Sequence, residues 1–341
     1  MMEVELFSGR EADWDAFVRG QSGWTHFHQY GWRRVMEEEF GHETFFLAAR
    51  DECSELAGVL PLVRVKSFLF GHFLVSMPFL NYGGPLGDDR AVRALADRAV
   101  DLADESGADL LELRSREALS LELPASHRKV TVVLDLEPGD AEPTFAALKS
   151  KVRSQVRRPT KEGVEVRFGH DQLDAFYGVF AQNMRDLGTP VLGRSVFESI
   201  RDVFSDSVWF GAAWQGEEAV AAGCGFVWNG EFEMTWASSL RAYNRIAPNM
   251  LLYWKFIERA AEERLGTFNF GRCTPGGGTH RFKLQWGGRD EPLWWYHRSS
   301  DEDAATPSPD EGALSLGPKI WCRLPLPVAN RIGPRVVRLI P

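Results

Sequence analysis

Cysteine is scarce in this sequence. Its 341 residues include four cysteines, and no two of them stand close enough to form a Cys-x-x-Cys pair. A disulfide framework or a structural zinc site needs closely grouped cysteines, so the sequence predicts neither. Isolated cysteines, here Cys53, Cys224, Cys273 and Cys322, are typical of a protein in a reducing compartment, and we expect a cytoplasmic location.

Long hydrophobic runs are also missing. The longest apolar stretch, residues 59–80, is interrupted by Arg64, Lys66 and His72 and by two prolines, so it does not predict a membrane-spanning helix. The first residues, MMEVELFSGREADWD, contain acidic side chains at once and no apolar core. They therefore do not predict a signal peptide.

A recognisable group of metal ligands is absent as well. His26 and His28 stand in a His-x-His arrangement before a predicted helix. No third or fourth ligand follows at a spacing known from metal sites, so we predict no metal. An aromatic groove or a packed core explains these histidines better, since Trp24, Phe27 and Tyr30 surround them in the sequence.

The chain lacks an overall excess of positive charge, with 39 Lys and Arg against 48 Asp and Glu and a net charge of −9. This excludes a uniformly basic, general nucleic-acid-binding surface but not a local patch. Residues 149–161, KSKVRSQVRRPTK, contain six basic residues and no acid. We predict that Arg153, Arg157 and Arg158 bind the phosphate groups of a donor, including those of tRNA. A solvated helix between two domains is the alternative.

The composition is that of an ordinary soluble globular protein. Apolar residues make up 44% of the chain and charged residues 26%, and the length allows roughly two domains with a sizeable core. The two halves also repeat one order of elements, a hairpin followed by a helix and a strand, at an offset of about 160 residues. The sequence thus predicts an α+β fold with an internal duplication. The corresponding segments are 45–50 and 209–214, 56–62 and 219–228, 94–103 and 251–263, and 110–114 and 268–272.

From this repeat we predict an N-terminal domain over residues 1–140, a basic connecting helix over 141–165 and a C-terminal domain over 166–300. An acidic linker rich in Pro and Ser follows at 301–312. Residues 313–341 form a basic amphipathic tail that contains no acid. A tail of this kind contacts the inner membrane surface, an acidic partner or the acidic body of the protein itself, and the sequence leaves these alternatives open.

The stretch FNFGRCTPGGGTHRFKLQWGG, residues 268–288, has the features of a site. An apolar strand ends in a loop where Gly276, Gly277 and Gly278 let the backbone approach a ligand. His280 and Lys283 follow, with Arg281 between them, so positive charge clusters beside the loop. An anionic or carbonyl-bearing substrate would need this combination. A flexible turn with a solvated lysine is the alternative.

Other polar and aromatic residues stand at predicted strand ends and helix starts, where clefts are usually lined. Two tandem domains place the default ligand site in the cleft between them. We therefore predict that this cleft binds substrate through a further set of side chains. The set consists of Tyr82, Arg185, Trp236, Ser238, Tyr243, Asn249 and Arg272.

Many short segments, all in the same order, resemble one protein family. They are similar to the FemAB-like proteins found with bacterial exopolysaccharide and exosortase (PEP-CTERM) systems, which are relatives of the Fem peptidyltransferases. The resemblance extends over about residues 20–297 and continues in the tail. The matching segments are FGH at 40–42, GVLPL at 58–62, SMPF at 76–79, YGG at 82–84, NMRDLGTPV at 183–191, WASS at 236–239, PNMLLYW at 248–254, FGRCTPGGGT at 270–279 and LPLPVAN at 324–330.

This resemblance implies two tandem domains of the GNAT (N-acetyltransferase) fold. Characterised members of the family transfer an aminoacyl group from aminoacyl-tRNA to an amine on a peptidoglycan precursor. In them a Phe-Lys pair before an aromatic-Gly-Gly segment supplies an active-site lysine, and Phe282, Lys283 and residues 286–288 match that pattern. The charge of Lys283 would stabilise the oxyanion formed when the amine attacks the carbonyl, whereas no residue is assigned as the base.

Two departures from the family bear on the donor. No heptad pattern corresponds to the coiled-coil arm that assists tRNA binding in some Fem enzymes, and RIAPN at residues 245–249 replaces the glycine-rich acetyl-CoA loop of GNAT enzymes. We expect no tightly bound cofactor, and the donor is either aminoacyl-tRNA or acyl-CoA. The expected acceptor is an amine of a small-molecule or lipid-linked cell-envelope or exopolysaccharide precursor. A non-catalytic binding module in polysaccharide assembly is the alternative, and the oligomeric state is left open.

Overall fold

A computed structural model of the protein describes residues 2–68, 70–299 and 317–340. Two β-sheets and a set of helices packed on them form the mixed α+β architecture that the sequence predicts. The strands are β1 Glu3–Leu6, β2 Glu43–Arg50, β3 Leu56–Ser67, β4 Gly71–Val75, β5 Leu86–Gly87, β6 Leu110–Ser115, β7 Ala125–Ser126, β8 Val130–Asp135, β9 Val164–Phe168, β10 Val208–Gln215, β11 Glu218–Trp228, β12 Glu231–Ser239, β13 Thr267–Cys273, β14 Arg289–Pro292 and β15 Trp294–Ser299.

Helices connect these strands, and two helices take the place of the single basic connecting helix predicted over residues 141–165. The helix α2 continues into a π-helical turn at Val35–Glu39. The helices are α1 Glu11–Arg19, α2 Gly31–Arg34, α3 Asp89–Ser106, α4 Glu142–Ala147, α5 Ser150–Lys161, α6 Leu173–Leu187, α7 Arg194–Val203, α8 Pro248–Glu262, α9 Gly278–Leu284, α10 Gly317–Trp321 and α11 Leu326–Val337.

The described chain divides into two compact units. The first unit comprises residues up to Lys129 together with 292–299 and 338–340, and the second comprises residues 130–291 and 317–337. The acidic linker predicted at 301–312 lies outside the described residues.

The sheet of the first unit has the order β1-β2-β3-β4-β6-β15-β7, with β5 paired to β3. Helix α3 connects the antiparallel part of the sheet to β6, which pairs in parallel with β4 at three positions. The side chain of Asp88 caps α3 by accepting hydrogen bonds from two backbone amides, and Gly107 ends the helix in the left-handed conformation. Leu95 and Ala99 are fully buried on the face of α3 that packs on the sheet.

The two histidines of the His-x-His motif are part of the first unit's core. His28 accepts a hydrogen bond from the Thr25 amide at 2.9 Å, and its other ring nitrogen donates to the Gly84 carbonyl at 3.0 Å. Burial lowers the pKa of His28 to about 4 and that of His26 to about 3, so both rings stay neutral at pH 7. Among the described residues, no cluster of three or more His, Cys, Asp or Glu side chains could hold a metal.

The sheet of the second unit has the order β14-β8-β13-β12-β11-β10-β9. Three antiparallel strands, β10, β11 and β12, are followed by α8 and then by β13, which pairs in parallel with β12. The first unit has its elements in the same order: the antiparallel strands β2, β3 and β4 are followed by α3 and then by β6, which pairs in parallel with β4. This agreement confirms the predicted duplication of one fold.

Strand membership differs from the predicted domain boundaries in two places. Strand β8 lies before residue 140, yet it pairs with β13 in the sheet of the second unit. Strand β15 lies before residue 300, yet it pairs with β6 in the sheet of the first unit. Each half of the chain thus contributes one strand to the sheet of the other, an exchange that local periodicity cannot reveal because strand pairing is non-local.

Residues 317–337 of the basic tail are part of the second unit. Helices α10 and α11 contact α6, and Ala329 and Gly333 of α11 are buried. A Cβ atom at Gly333 would lie 2.9 Å from the Val191 backbone nitrogen, so the contact requires glycine. Among the described residues, no helix is long and apolar enough to cross a membrane.

A β-bulge bends β12 midway along its length. Cys224 of β11 pairs with Trp236 and the next residue, Gly225, pairs with Met234, so Thr235 is the extra residue of β12. A Cβ atom at Gly225 would lie only 2.0 Å from the Glu233 carbonyl oxygen. The bulge therefore depends on glycine at this position.

We expect Gly225→Ala to destabilise the protein by about 3 kcal/mol, because the new methyl group meets backbone that cannot move aside. Gly223→Ala, two residues away in β11, is the matched control. Its methyl group would meet the flexible end of Met234, with the sulfur at 2.8 Å, and should cost about 1 kcal/mol. Urea denaturation of both variants measures the difference, and equal losses would contradict the importance of the bulge.

Candidate functional site

The candidate site lies where two parallel strands of the second unit separate. β12 and β13 pair only at Glu231–Thr267, Phe232–Phe268 and Glu233–Asn269. Beyond these positions β12 bends at its bulge and stays with β11, while β13 continues along β8 after a shift in register. A gap between the carboxyl ends of the two strands follows from this divergence.

An open cleft of about 320 Å³ lies at the carboxyl end of β12. A volume of this size falls at the lower end of the range of small-molecule sites. Residues from the end of β12 and from α6, α8 and α9 line it, and polar and apolar side chains are mixed. The lining residues are Asn183, Ala237, Ser238, Ser239, Asn249, Leu252, Tyr253, Gly278, Thr279 and Phe282.

Hydrogen bonds orient the polar groups of this cleft. The amide of Asn183 donates to the hydroxyl oxygen of Ser238 at 3.1 Å, so α6 holds the end of β12. Tyr253 packs against Phe270, Phe282 and Trp286, and burial raises the pKa of its phenol above the ordinary value. Its hydroxyl group therefore stays protonated and can act as a donor.

The glycine-rich loop next to the cleft is held in one conformation. His280 accepts a hydrogen bond from the Gly276 amide at 3.0 Å and donates from its other ring nitrogen to Asp290 at 2.9 Å. Arg281 donates to the Gly276 carbonyl at 2.9 Å. Gly276 has a φ of 77°, which favours glycine. The loop is thus a rigid element rather than a flexible turn.

Space remains free around the loop. A Cβ atom built at Gly276 or at Gly278 would meet no heavy atom within 4 Å. Gly278 also lines the cleft, so its missing side chain leaves room for a ligand there. The predicted close approach of the backbone to a ligand is compatible with this geometry.

Lys283 is buried beneath the loop, with a relative exposure of 4%. Its ammonium group donates to the carbonyl oxygens of Gly271 at 2.6 Å and Arg272 at 2.9 Å, which connects α9 to the end of β13. Burial lowers the pKa of Lys283 to about 8, although Cys273 and Glu233 nearby act in the opposite direction. At pH 7 the group is mostly protonated and places one positive charge where β13 separates from β12.

A buried polar network fixes the last paired positions of the two strands. The side chain of Asn269 donates to Glu231 at 2.8 Å and to Glu233 at 3.3 Å. Its oxygen accepts hydrogen bonds from Thr131 at 2.5 Å and from the Gly271 amide at 2.8 Å. Glu233 and Asn269 are fully buried. The network therefore stabilises the pairing from which the strands diverge.

The sequence alone does not single out Glu233 or Asn269 as parts of the site. The run EFEMT alternates polar and apolar residues, a pattern typical of a strand with one solvated face. In the second unit both faces of this strand are covered, so the acids are buried. The carboxylate of Glu233 lies close enough to Lys283 to oppose the lowering of the Lys283 pKa by burial.

The start of α8 offers few amides to an anion. Pro248 is the first residue of the helix and has no N–H group. The Met250 amide already donates to the Ala247 carbonyl at 3.0 Å, and Ala247 has a φ of 57°. A phosphate group at this helix start would have to rely on Asn249.

The predicted site residues are brought together only in part. Ser238, Asn249 and Gly278 line the cleft, and Gly276, Gly277 and His280 belong to the adjacent loop. Lys283 and Arg272 meet at the end of β13. Their roles in binding or catalysis stay predictions.

Three further predicted residues have contacts away from the cleft lining. Trp236 packs edge-on against Phe197, and the Tyr243 hydroxyl donates to Glu218 at 2.6 Å. Arg185 donates to the Leu324 carbonyl at 3.1 Å and so holds the C-terminal segment. All three lie in the second unit but serve packing or anchoring contacts that sequence spacing could not distinguish from ligand contacts.

Tyr82 belongs to the first unit, where it is fully buried and packs against Phe27. The guanidinium of Arg116 lies 6.0 Å from the centre of its ring. Together with Arg114 it lines a small cavity of about 90 Å³ in that unit. Its predicted contact with substrate stays a prediction.

The basic helix α5 uses two of its three predicted phosphate ligands for packing. Arg153 donates to the Ala146 carbonyl at 2.7 Å and also to that of Leu148, so it caps the end of α4. The Arg157 guanidinium lies 5.0 Å from the centre of the Phe145 ring. Arg158 is exposed. Phosphate binding by this helix stays a prediction.

Comparison with known proteins agrees with this architecture. Residues 146–284 match the protein-family model described as the acetyltransferase (GNAT) domain. The solved structure of FemX is similar, with a TM-score of 0.65 at 14% identity over 86% of this chain and 97% of FemX.

The chain has a duplicated GNAT-like fold. A tandem GNAT protein from the clavulanic acid biosynthesis pathway gives a TM-score of 0.55 at 11% identity, over 89% of this chain and all of that protein. The solved structure of L-PGS from Bacillus licheniformis gives a TM-score of 0.54 at 13% identity, over 93% of this chain and all of the chain in that structure. At such identities the likeness shows the fold. No curated protein sequence matches the chain significantly.

The predicted GNAT-like fold and its likeness to Fem proteins are therefore supported, whereas the exopolysaccharide-associated subgroup stays a prediction.

We expect Lys283 to make the stability of the protein depend on pH above neutrality. Its pKa is about 8 in the folded protein and has the ordinary value of 10.5 in the unfolded chain. Between these values the unfolded chain binds more protons, so raising the pH favours the folded state. From pH 7 to 10 the free energy of unfolding should increase by about 2 to 3 kcal/mol relative to the Lys283→Met variant.

Urea denaturation of the wild type and of Lys283→Met at pH 7 and pH 10 measures this change. All other titrating groups are shared by the two proteins, so they cancel in the difference. A difference that stays constant across this range would show that the ammonium group is not buried as described.

Proposed function

We propose that this protein is an acyltransferase that joins an acyl or aminoacyl group to an amine, and that the cleft beyond β12 and β13 binds the reacting groups. The observation that carries the proposal is the divergence of these strands into a polar-lined cleft within the region that matches an acetyltransferase domain. Parallel strands that separate at their carboxyl ends leave room for an extended acyl donor.

The proposed reaction is a direct transfer. The amine nitrogen attacks the carbonyl carbon of an ester or thioester, a C–N bond forms, and the C–O or C–S bond of the donor breaks. The amine proton leaves with the alcohol or thiol. Negative charge develops on the carbonyl oxygen, and hydroxyl and amide donors in the cleft, such as Ser239, Thr279 and Asn249, can stabilise it.

Lys283 supports the reaction in this proposal as a fixed positive charge. Its ammonium group cannot swing freely, because two backbone carbonyls at the end of β13 hold it. A charge fixed in a poorly hydrated place acts more strongly on a developing oxyanion than a mobile surface lysine does. It also requires no reorientation during the reaction.

The donor in this proposal is aminoacyl-tRNA, with acyl-CoA as the alternative. GNAT enzymes of the ordinary kind seat the CoA pyrophosphate on a glycine-rich loop and the following helix start, and the start of α8 has Pro248 and an already bonded Met250 amide. This geometry favours a donor that does not depend on those amides. The match to an acetyltransferase domain is the observation that favours acyl-CoA.

The acceptor is an amine on a cell-envelope or exopolysaccharide precursor, either small or lipid-linked. Support for this acceptor comes from the resemblance to FemAB-like proteins and from the likeness of the fold to FemX.

We expect the Gly278→Ala variant to bind the donor about tenfold more weakly while its free energy of unfolding changes by less than about 0.5 kcal/mol. The methyl group would enter the cleft without touching any protein atom. Gly266→Ala is the matched control, because a Cβ atom there also meets nothing within 4 Å and Gly266 does not line the cleft. Binding of charged tRNA, acetyl-CoA and a longer acyl-CoA is measured for each variant. Consumption of the donor in the presence of amines is measured afterwards.

The outcomes separate the candidate functions. Binding of charged tRNA supports aminoacyl-tRNA as the donor. Binding of a CoA thioester supports acyl-CoA as the donor. If both glycine variants bind the donor as the wild type does, the cleft is not the site. If none of the three donors binds, a non-catalytic binding module becomes the better explanation.

A further inference from the structure

The C-terminal helices present a second surface that the proposed reaction does not use. Helices α10 and α11 lie on α6, and α11 shows different chemistry on its two sides. The inner side is made of small residues, Ala329 and Gly333, spaced four residues apart and buried against the second unit. This spacing fixes which side of α11 faces outward.

Specific contacts hold these helices in place. Arg185 of α6 donates to the Leu324 carbonyl, between α10 and α11. A Cβ atom at Gly188, just after α6, would lie 2.5 Å from the Pro318 carbonyl oxygen, so the start of α10 is packed tightly on the end of α6. The orientation of the outer side is therefore a property of the folded unit.

The outer side exposes aliphatic side chains. Val328 and Ile332 of α11 each have a relative exposure of 40%, and Ile320 of α10 has 63%. Only seven large hydrophobic residues are strongly exposed in the described part of the chain, and these three are among them. Val328 and Ile332 stand four residues apart and therefore lie on the same side of α11.

Basic residues accompany the aliphatic ones on the same side. Val328, Arg331, Ile332 and Arg335 follow the i, i+3, i+4, i+7 spacing of one helical face, and both arginines are exposed. Lys319 and Arg323 of α10 are exposed as well. Residues 317–337 contain no acid, in a chain whose net charge is −9. The surface is therefore cationic and apolar at once.

We propose that the outer side of α10 and α11 binds the surface of a membrane that contains anionic lipids. A nucleic acid or an acidic protein surface would use the cations but would leave the aliphatic side chains in water. An anionic bilayer surface uses both, because phosphate headgroups pair with Lys and Arg while Val and Ile enter the boundary of the acyl chains. The helices lie on the membrane and do not cross it.

This binding is independent of the proposed transfer reaction. The surface does not include any residue that lines the cleft, so a protein without transferase activity would still bind the membrane.

Vesicle co-sedimentation of the full-length chain tests the proposal. The probes are vesicles of phosphatidylglycerol mixed with phosphatidylcholine and vesicles of phosphatidylcholine alone. We expect binding to the mixed vesicles only, weakened by added salt because the lipid charges are screened. In the double variant Val328→Glu/Ile332→Glu, the partition into mixed vesicles should fall by about tenfold or more. Arg331→Gln/Arg335→Gln should reduce it by a similar factor.

Leu6→Glu is the matched control, because Leu6 has a relative exposure of 58% but lies on β1. It adds a charge at an exposed aliphatic position and should leave vesicle binding unchanged. Thermal unfolding of every variant checks that the fold is retained. The proposal would be overturned if only the arginine variant lost vesicle binding, or if Leu6→Glu lost as much vesicle binding as the α11 variants. It would also be overturned if the protein bound RNA or an acidic protein but no vesicles.

Discussion

The site of the second unit depends on how briefly β12 and β13 pair. Three paired positions hold the strands together, with the rings of Phe232 and Phe268 in contact on one face and the carboxamide of Asn269 bonded to Glu233 on the other. Beyond these positions β12 pairs with β11, and β13 pairs with β8. The apolar core and the buried polar network thus fix the place where the cleft opens, and the bulge at Thr235 fixes its direction.

The corresponding parallel strands of the first unit do not separate in this way. Strand β4 pairs with β6 at three positions, and the segment that follows β4 stays bonded to β6. The Ser76 amide donates to the Glu112 carbonyl at 2.9 Å, and the Gly84 amide donates to that of Arg114 at 2.8 Å. Arg114 itself is buried and paired with Glu112 at 2.7 Å. The cavity lined by Tyr82 and Arg114 has a volume of about 90 Å³, against about 320 Å³ for the cleft at the end of β12. The second unit thus has an open cleft at the end of β12, whereas in the first unit backbone hydrogen bonds continue along β6.

The glycine-rich loop shows how the site is made rigid without bulky side chains. A loop of glycines is costly to order, because glycine loses more conformational freedom than other residues. Here His280 and Arg281 hold the amide and the carbonyl of one glycine, and Asp290 orients the histidine. Lys283, one turn further along α9, secures the helix to the end of β13. The loop thus has a fixed backbone and still leaves space beside the cleft.

The sequence by itself determined the α+β class and the duplication, because these follow from local periodicity and repeated segments. It also indicated the loop at 276–278 and the lysine beside it, since glycines and clustered cations are visible in a linear pattern. Tertiary structure alone decided which strands changed sheets, that Lys283, Glu233 and Asn269 are buried, and that Arg185 and Arg153 serve packing. Those outcomes depend on which residues meet across long stretches of chain. Strand pairing and burial are set by such non-local contacts, and the pattern of polar and apolar residues along a single strand does not encode them.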